Sequence, residues 1–343
     1  MKRQPFGFII ALVFAFFCLN ATAANNTPAP PDFAFPKKVS QQSEQKLKKA
    51  LRAGDDIEAL RALTDFALAQ GSISEQNLPK ALGMFSDIAS KLRSKAATSV
   101  LCLLKATVYN EIYSDNKWVY DQRSLPLSPL PADYTEWSGA QFRNVISQLC
   151  DSAMAAAPDL QRVPIGDYST LIVADAQTAV YFPTLFDFAA CKTIELRCNL
   201  SEFSNCLSIL LLTPLKTFIG TPVYSPSAPE AAKILETYAQ ILRFHENDTA
   251  PLIYNDLARL QFTYSNLYSS MSEKGTERYH QLLVDLYNKY SSSQYSGDIL
   301  LALSDDSYTI SVVPYDDVSQ QNQDTGWDKK YYNMLRDFTA RHP

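Results

Sequence analysis

Glycine is scarce in this chain, which has 10 glycines among 343 residues, under half the usual frequency of about 7%. Tight β-hairpins need glycine at positive φ, so the shortage disfavours a sheet-rich fold and favours helices. It also leaves no glycine-rich phosphate loop, and the sequence contains no Gly-x-Ser-x-Gly nucleophile motif. Two common signatures of enzymes are therefore missing.

Histidine is also rare, since the chain has only His245, His280 and His342. None stands at a metal-ligand spacing from another histidine or a cysteine pair, so we expect no zinc site. The carboxylate pairs are adjacent in sequence, as at Asp55 and Asp56, and adjacent side chains point apart, whereas sugar hydrolysis needs two facing carboxylates. We therefore expect no metal, no cofactor and no enzymatic activity.

Clustered positive charge is likewise absent from the sequence. The net charge is −5 at pH 7, the pI is about 5.3, and no run of basic residues occurs. Binding to nucleic acid needs clustered lysine and arginine to neutralise phosphates, so nucleic acid is not an expected partner. Hydrophobic residues make up 46% of the chain, which predicts a substantial buried core.

The first residues have the pattern of a secretory signal peptide. Two positive residues precede a short apolar run and the small residues 21–23 follow it, so we predict a signal peptide over 1–23, cleaved between Ala23 and Ala24. The run is short for a membrane span. Lipid attachment at Cys18 is the alternative, but bulky Phe16 and Phe17 precede it where a small residue is required. We expect an exported chain without a transmembrane segment in its mature form.

Hydrophobic periodicity predicts helices over most of the remaining chain. A Pro-rich linker covers 24–40, and helical signals then run through 41–343. The predicted helices with the clearest apolar faces are 56–69, 78–92, 249–269, 276–291 and 327–341. Three Ser-x-x-Glu/Gln patterns predict capped helix starts, at Ser72 with Glu75, Ser138 with Gln141, and Ser227 with Glu230.

Two C-terminal segments indicate a repeat. Residues 279–291 and 331–343 align at their apolar positions, and both look like the second helix of a helical hairpin. We therefore predict an all-α fold, an irregular α-solenoid of tetratricopeptide-like hairpins, with an irregular helical bundle as the alternative. A split within the helical region is expected near 213–227. A loop is expected over 305–326, with a short strand near its start.

Residues 116–137 form the other stretch that is predicted to be irregular, because prolines interrupt it. It also holds Trp118, Tyr120, Tyr134 and Trp137, which we expect to pack on the helices. Long loops of this kind within a domain are uncommon, and they are either functional or linkers.

Five cysteines remain after removal of the signal peptide, so at least one is unpaired in an exported protein. Cys191 and Cys198 are two helical turns apart, about 10 Å along the axis, which excludes a bond between them. A turn near 199–200 and a helix from Ser201 would bring Cys206 back beside Cys191. A Cys191–Cys206 disulfide is the candidate bond, and buried free thiols are the alternative.

The segment "PTLFDFAACKTIEL" at 183–196 resembles one in the N-terminal helical region of the very large alpha-2-macroglobulin-like proteins of Gram-negative bacteria. Three further segments are similar in the same order, so that the resemblance spans residues 40–343: "LPKALGMFSDIASKL", "WVYDQR" and "TEWSGAQFRNVI". The resemblance implies an exported protein of the periplasm or cell surface. It also implies a family of protease inhibitors, whose members carry many β-sandwich domains after the helical region.

The resemblance does not carry the family's trapping chemistry to this chain. Some members react through a Cys-x-Glu-Gln thioester motif, and "SEQN" at 74–77 lacks the cysteine. No β-sandwich pattern follows the helical region, so we expect a fragment of a longer protein. We predict a non-catalytic helical scaffold that binds protein partners, with proteases reached through the longer protein. The alternative is an exported helical-repeat protein that binds glycans or partner proteins.

Overall fold

The structure is a computed structural model that describes residues 35–74, 77–172, 176–200, 206–223, 228–267, 273–311 and 326–341. These residues form helices joined by turns and loops, and no β-strand occurs among them. Two isolated bridges are present in the same ranges, Pro164 with Thr184 and Leu207 with Leu267. The predicted all-α fold class is therefore confirmed.

The predicted export features lie outside the described residues. They are the signal peptide 1–23, its cleavage point between Ala23 and Ala24, the alternative lipid site Cys18, and the linker up to residue 34. The first helix begins at Pro36, inside the predicted linker 24–40. A proline is tolerated there because the first turn of a helix leaves its backbone N–H groups without helical partners.

The chain divides into two compact units at the Leu200–Ser201 junction, earlier than the predicted 213–227. In the first unit, helix α4 packs against α6 and α9, and α2 packs against α1 and α3. The described helices of this unit are α1 (Pro36–Ala53), α2 (Asp56–Ile73), α3 (Leu78–Ala89), α4 (Lys95–Asp115), α5 (Lys117–Asp121), α6 (Gly139–Met154), α7 (Ala157–Leu160), α8 (Ala176–Tyr181) and α9 (Leu185–Leu200). Short 3-10 turns occupy Tyr134–Glu136 and Ile165–Tyr168.

In the second unit, each helix from α10 to α15 packs against the next one in the chain. The described helices are α10 (Leu215–Gly220), α11 (Pro229–Phe244), α12 (Thr249–Ser265), α13 (Glu273–Tyr290), α14 (Gly297–Ser311) and α15 (Gly326–Arg341), with a 3-10 turn at Ile209–Leu211. Three of them, α12, α13 and α15, agree with predicted helices to within a few residues.

Helix α4 has no counterpart among the predicted helices. Its buried residues run from Ala96 to Tyr113 and surround its circumference, since neighbouring helices cover it on several sides. A helix that is buried on all sides has no polar stripe. Its sequence therefore lacks the alternation of apolar and polar residues, with a period of 3.6, that identifies a surface helix.

The three predicted capping patterns behave differently. Ser138 forms the full reciprocal cap with Gln141 at the start of α6, as predicted. The prediction for Ser72 is wrong, because this residue lies in the last turn of α2 and its hydroxyl donates to the Leu68 carbonyl. For the third pattern, the N-cap of α11 is Ala228, and Ser227 lies outside the described residues.

Two predicted boundaries also need correction. Helix α14 continues to Ser311, so the predicted loop over 305–326 begins with helix, and residues 312–325 lie outside the described part of the chain. The helix predicted from Ser201 is not present in the described residues that follow, since Cys206 and Leu207 donate their backbone N–H groups to the Asn266 carbonyl instead.

Candidate functional site

A cluster of exposed apolar side chains marks one short part of the first unit. Trp118, at the start of α5, is 70% exposed, which contradicts the expectation that it packs on the helices. Leu125, Leu127 and Leu130 follow in residues 122–133, which we name the proline–leucine loop, and all three are exposed. Residues 124–132 of this loop carry no charged side chain. Exposed apolar patches are typical of surfaces that contact other molecules, so this loop is the candidate site.

An aromatic cluster lies beneath the loop. Phe142 of α6 has its ring centroid 4.7 Å from that of Tyr120, 5.0 Å from that of Trp137 and 5.8 Å from that of Tyr113. Tyr109 joins the same group at 5.1 Å from Trp137. Each such pair contributes about 0.5–1.5 kcal/mol beyond the burial of its area. Tyr120 and Trp137 are buried as predicted, so the flanks of the loop are fixed while its centre is exposed.

Four hydrogen bonds attach the loop to the first turn of α6 and to the residues just before it. The Trp137 indole N–H donates to the Pro131 carbonyl at 2.7 Å, and the Gln141 amide donates to the Pro126 carbonyl at 2.7 Å. Arg123 donates to the carbonyls of Thr135 and Trp137. Gln141 also completes the helix cap with Ser138. The same residues that start α6 therefore hold the loop.

An ion pair beside the aromatic cluster connects α5 to α6. The Arg143 guanidinium donates to the Asp121 carboxylate at 2.6 Å, and the Tyr113 hydroxyl donates to the same carboxylate at 3.0 Å. Burial, followed by the hydrogen bond to Asp121, raises the pKa of Tyr113. A Cβ atom on Gly139 would lie 1.8 Å from the Asp121 carboxylate, so this close approach needs glycine at the first position of α6.

The segment that carries the family resemblance serves a structural purpose. Asp187 is buried, and its carboxylate accepts hydrogen bonds from the Thr184 backbone N–H at 2.9 Å and from the Thr184 hydroxyl at 2.7 Å. The Pro183 carbonyl accepts from the Ile165 N–H, and the Leu185 N–H donates to the Val163 carbonyl. The motif therefore fixes the start of α9 in the core of the first unit.

The candidate disulfide is not formed in the structure. Cys191 and Cys206 are both free thiols, and they belong to different units. Burial, with the nearby carboxylates of Asp187 and Glu195, raises the pKa of the Cys191 thiol, and burial also raises that of Cys206. The thiols are free, as in the alternative, but both side chains are partly exposed, whereas the alternative expected them to be buried.

The two histidines among the described residues, His245 and His280, contact other side chains of the fold. His245 is buried at the end of α11, where its Nδ1 lies 3.0 Å from the carboxylate of Asp248. The ring of His280 lies at the edge of the Tyr331 ring, with 6.1 Å between centroids. Residue 342 lies outside the described ranges. Within those ranges, no three His, Cys, Asp or Glu side chains are grouped so that they could hold a metal ion.

The largest buried cationic side chains, Arg259 and Arg197, also make structural contacts. Arg259 on α12 pairs with the buried Asp256 at 2.7 Å, donates to the Thr213 carbonyl at 2.7 Å, and lies over the Phe218 ring at 4.5 Å. In the first unit, Arg197 pairs with Asp151. These arginines connect an irregular segment or a neighbouring helix to their own helix, and a buried charge is tolerated only when it is paired in this way.

Comparisons with known protein families, with curated proteins and with solved structures return no match. None of the described helices is long and apolar enough to cross a membrane.

Proposed function

We propose that this chain is a non-catalytic helical scaffold that binds protein partners, and that it belongs to an exported alpha-2-macroglobulin-like protein. The observation that supports a scaffold most is the packing in the second unit, where each helix from α10 to α15 contacts its successor. An irregular α-solenoid of tetratricopeptide-like hairpins is built in the same way, and such arrays present extended surfaces to partners.

The use of ionisable groups supports a non-catalytic function. Catalytic groups need an open site in which acid, base or nucleophile face a substrate. The buried Asp187, Asp256 and Arg259 are instead bound to groups of the fold itself. Export is part of the same proposal and rests on the signal-peptide pattern of residues 1–23. The periplasm or cell surface as location, and partner proteases reached through a longer protein, rest on the sequence resemblance.

Exposed apolar residues on α14 and α15 are the partner-binding positions that we propose in the second unit. Leu301 and Tyr332 are 51% and 61% exposed, and their two helices pack against each other. Large exposed aromatic residues are common anchors of protein interfaces.

Site-specific photocrosslinking in an exporting Gram-negative host tests this function. A benzophenone amino acid at Tyr332 should give one discrete protein adduct, and the same group at the exposed Lys289 of α13 should give none. The partner identified by mass spectrometry should then bind the purified chain, and Tyr332→Asp should weaken that binding at least about tenfold. Equal adducts from both positions, or turnover of a substrate by the purified chain, would contradict a scaffold that binds through this face.

A further inference from the structure

We propose that the exposed face of helix α1 docks this protein onto the surface of an anionic phospholipid bilayer, with Lys37, Lys38, Lys49 and Arg52 contacting the headgroup phosphates. The proposal goes beyond the scaffold function. It concerns a helix of the first unit, whereas the partner-binding positions lie on helices of the second. It rests on the charges of α1, on the face of the helix that they occupy, and on an exposed aromatic residue at its start.

Helix α1 (Pro36–Ala53) concentrates positive charge. It contains six lysine and arginine residues and one glutamate, so its net charge is +5, whereas the net charge of the whole chain is −5. The positive charge is therefore local to this helix and is opposite in sign to the charge of the chain. All six cations are exposed: Lys37, Lys38, Lys46, Lys48, Lys49 and Arg52.

The helical repeat brings these cations to one face. The two Lys-Lys pairs at 37–38 and 48–49 are 11 residues apart, which is about three turns, so both pairs lie on the same side of α1. The opposite side packs against α2 and buries Ser40, Ser43, Leu47 and Ala50. The expectation of no clustered positive charge, which was based on the lack of a continuous basic run, is therefore wrong for this helix.

Most of these cations are available to an external ligand. Lys48 pairs with Glu44 at 2.7 Å, and Lys46 is close enough to the Asp65 carboxylate of α2 to interact with it electrostatically. The other four form no ion pair with any described residue, and they are Lys37, Lys38, Lys49 and Arg52. They extend over about 22 Å of the helix axis, so they form an elongated row of unpaired positive charge.

An anionic bilayer suits this row better than a protein does. Protein interfaces are depleted in lysine and enriched in aromatic residues, methionine and arginine, whereas five of the six cations on α1 are lysines. Lipid phosphates move laterally, so they gather beneath a row of cations without a complementary shape. Helices with about four to eight lysine and arginine residues are typical binders of anionic lipid, and each such residue strengthens binding about fivefold.

Phe35 places an apolar side chain at one end of the basic face. It is the N-cap residue of α1 and is 65% exposed. Helices that lie on membranes combine lysine and arginine with Phe, Trp or Leu side chains that reach the boundary between headgroups and acyl chains. An exposed phenylalanine two residues before the first unpaired lysine therefore supports lipid as the ligand.

The choice of lipid over nucleic acid, the other common polyanion, rests on the export that is part of the proposed function. An exported chain meets the surfaces of membranes, whereas a basic face in contact with DNA would require a different compartment. The binding measurement itself uses the purified chain, so its result does not depend on export.

The test is co-sedimentation of the purified chain with vesicles of phosphatidylcholine and phosphatidylglycerol, compared with vesicles of phosphatidylcholine alone. We expect binding to the anionic vesicles to be at least about tenfold tighter. Raising the ionic strength from about 0.1 M to about 1 M shortens the Debye length from about 10 Å to about 3 Å, so it should remove most of this binding.

Two quadruple variants identify the face that binds. The first combines Lys37→Gln, Lys38→Gln, Lys49→Gln and Arg52→Gln, and it should weaken binding to anionic vesicles at least about tenfold. The matched control combines Lys274→Gln, Lys289→Gln, Lys330→Gln and Arg341→Gln. It also removes three exposed lysines and one exposed arginine, but from two helices of the second unit, and it should change binding less than about twofold. Glutamine is as good a helix former as lysine, and unchanged circular dichroism excludes unfolding as the cause.

Several outcomes would overturn the proposal. Equal binding to anionic and neutral vesicles, or no binding by the folded chain, would show that the cations do not select anionic lipid. Equal losses in the two quadruple variants would show that net charge matters and α1 does not. Tighter binding to a DNA duplex at the same salt concentration would make the face a nucleic-acid site, and self-association that only the first variant abolishes would make it a site for a second copy. Photocrosslinking at Tyr332 tests the scaffold function separately, so failure of one proposal is distinguishable from failure of the other.

Discussion

At the scale of single residues, polar side chains hold helix ends and loops in position through hydrogen bonds. Gln141 is the clearest case, because one side chain both caps α6 and holds the Pro126 carbonyl of the loop. The helix-capping function could be predicted from the Ser138-x-x-Gln141 spacing. The contact with Pro126 could not, since it joins residues 15 positions apart through a loop whose path the sequence pattern does not specify.

Gly139 provides a test of the close packing between α5 and α6. Gly139→Ala should destabilise the protein by about 1–3 kcal/mol, because the added Cβ meets the Asp121 carboxylate and separates it from Arg143. Gly83→Ala on α3 is the matched control. Nothing lies within 4 Å of the Cβ position at Gly83, so alanine should stabilise the helix by about 0.5–1 kcal/mol. Urea unfolding measures both, and equal effects would show that Asp121 does not approach α6 as described.

At the scale of elements, helices with one apolar face were predictable and helices buried all round were not. The helix predicted at 56–69 is present as the core of α2, with Asp55 as its N-cap. Helix α4, which lies at the centre of the first unit, was missed because burial removes its polar stripe. The similar pattern at Ser72 failed as a helix start because α2 extends to Ile73, which places Ser72 in the last turn of a helix.

A pair of serine substitutions tests this distinction between two similar motifs. Ser138→Ala removes the cap of α6 and should cost about 1 kcal/mol, within the range of 0.5–2 for such residues. Ser72→Ala removes only a hydroxyl bonded to the preceding turn of α2, and should change the free energy of unfolding by less than about 0.5 kcal/mol. Thermal or urea unfolding measures the loss of stability in each variant. A larger loss for Ser72→Ala than for Ser138→Ala would contradict the assigned helix boundaries.

At the scale of the whole molecule, the sequence was sufficient for the fold class but not for the exposed surface. Scarce glycine and regular apolar spacing indicated helices, and the described residues form helices joined by turns and loops, with no β-strand among them. The aromatic residues of 116–137 were all expected to pack inward, yet the chain buries Trp137 and exposes Trp118. Both are tryptophans in one proline-interrupted segment, so the sequence pattern gives no reason to treat them differently. Trp137 is buried because it packs against Phe142 in the aromatic cluster.

The measurement that tests this account most directly is fluorine NMR of the chain labelled with 5-fluorotryptophan, with resonances assigned by Trp→Phe variants. The account predicts a Trp118 signal that shifts between H2O and D2O, because its ring is in water, and a Trp137 signal that does not shift, because its ring is enclosed beside Phe142. Equal solvent shifts for Trp118 and Trp137 would contradict a loop that is anchored on one tryptophan and displays the other.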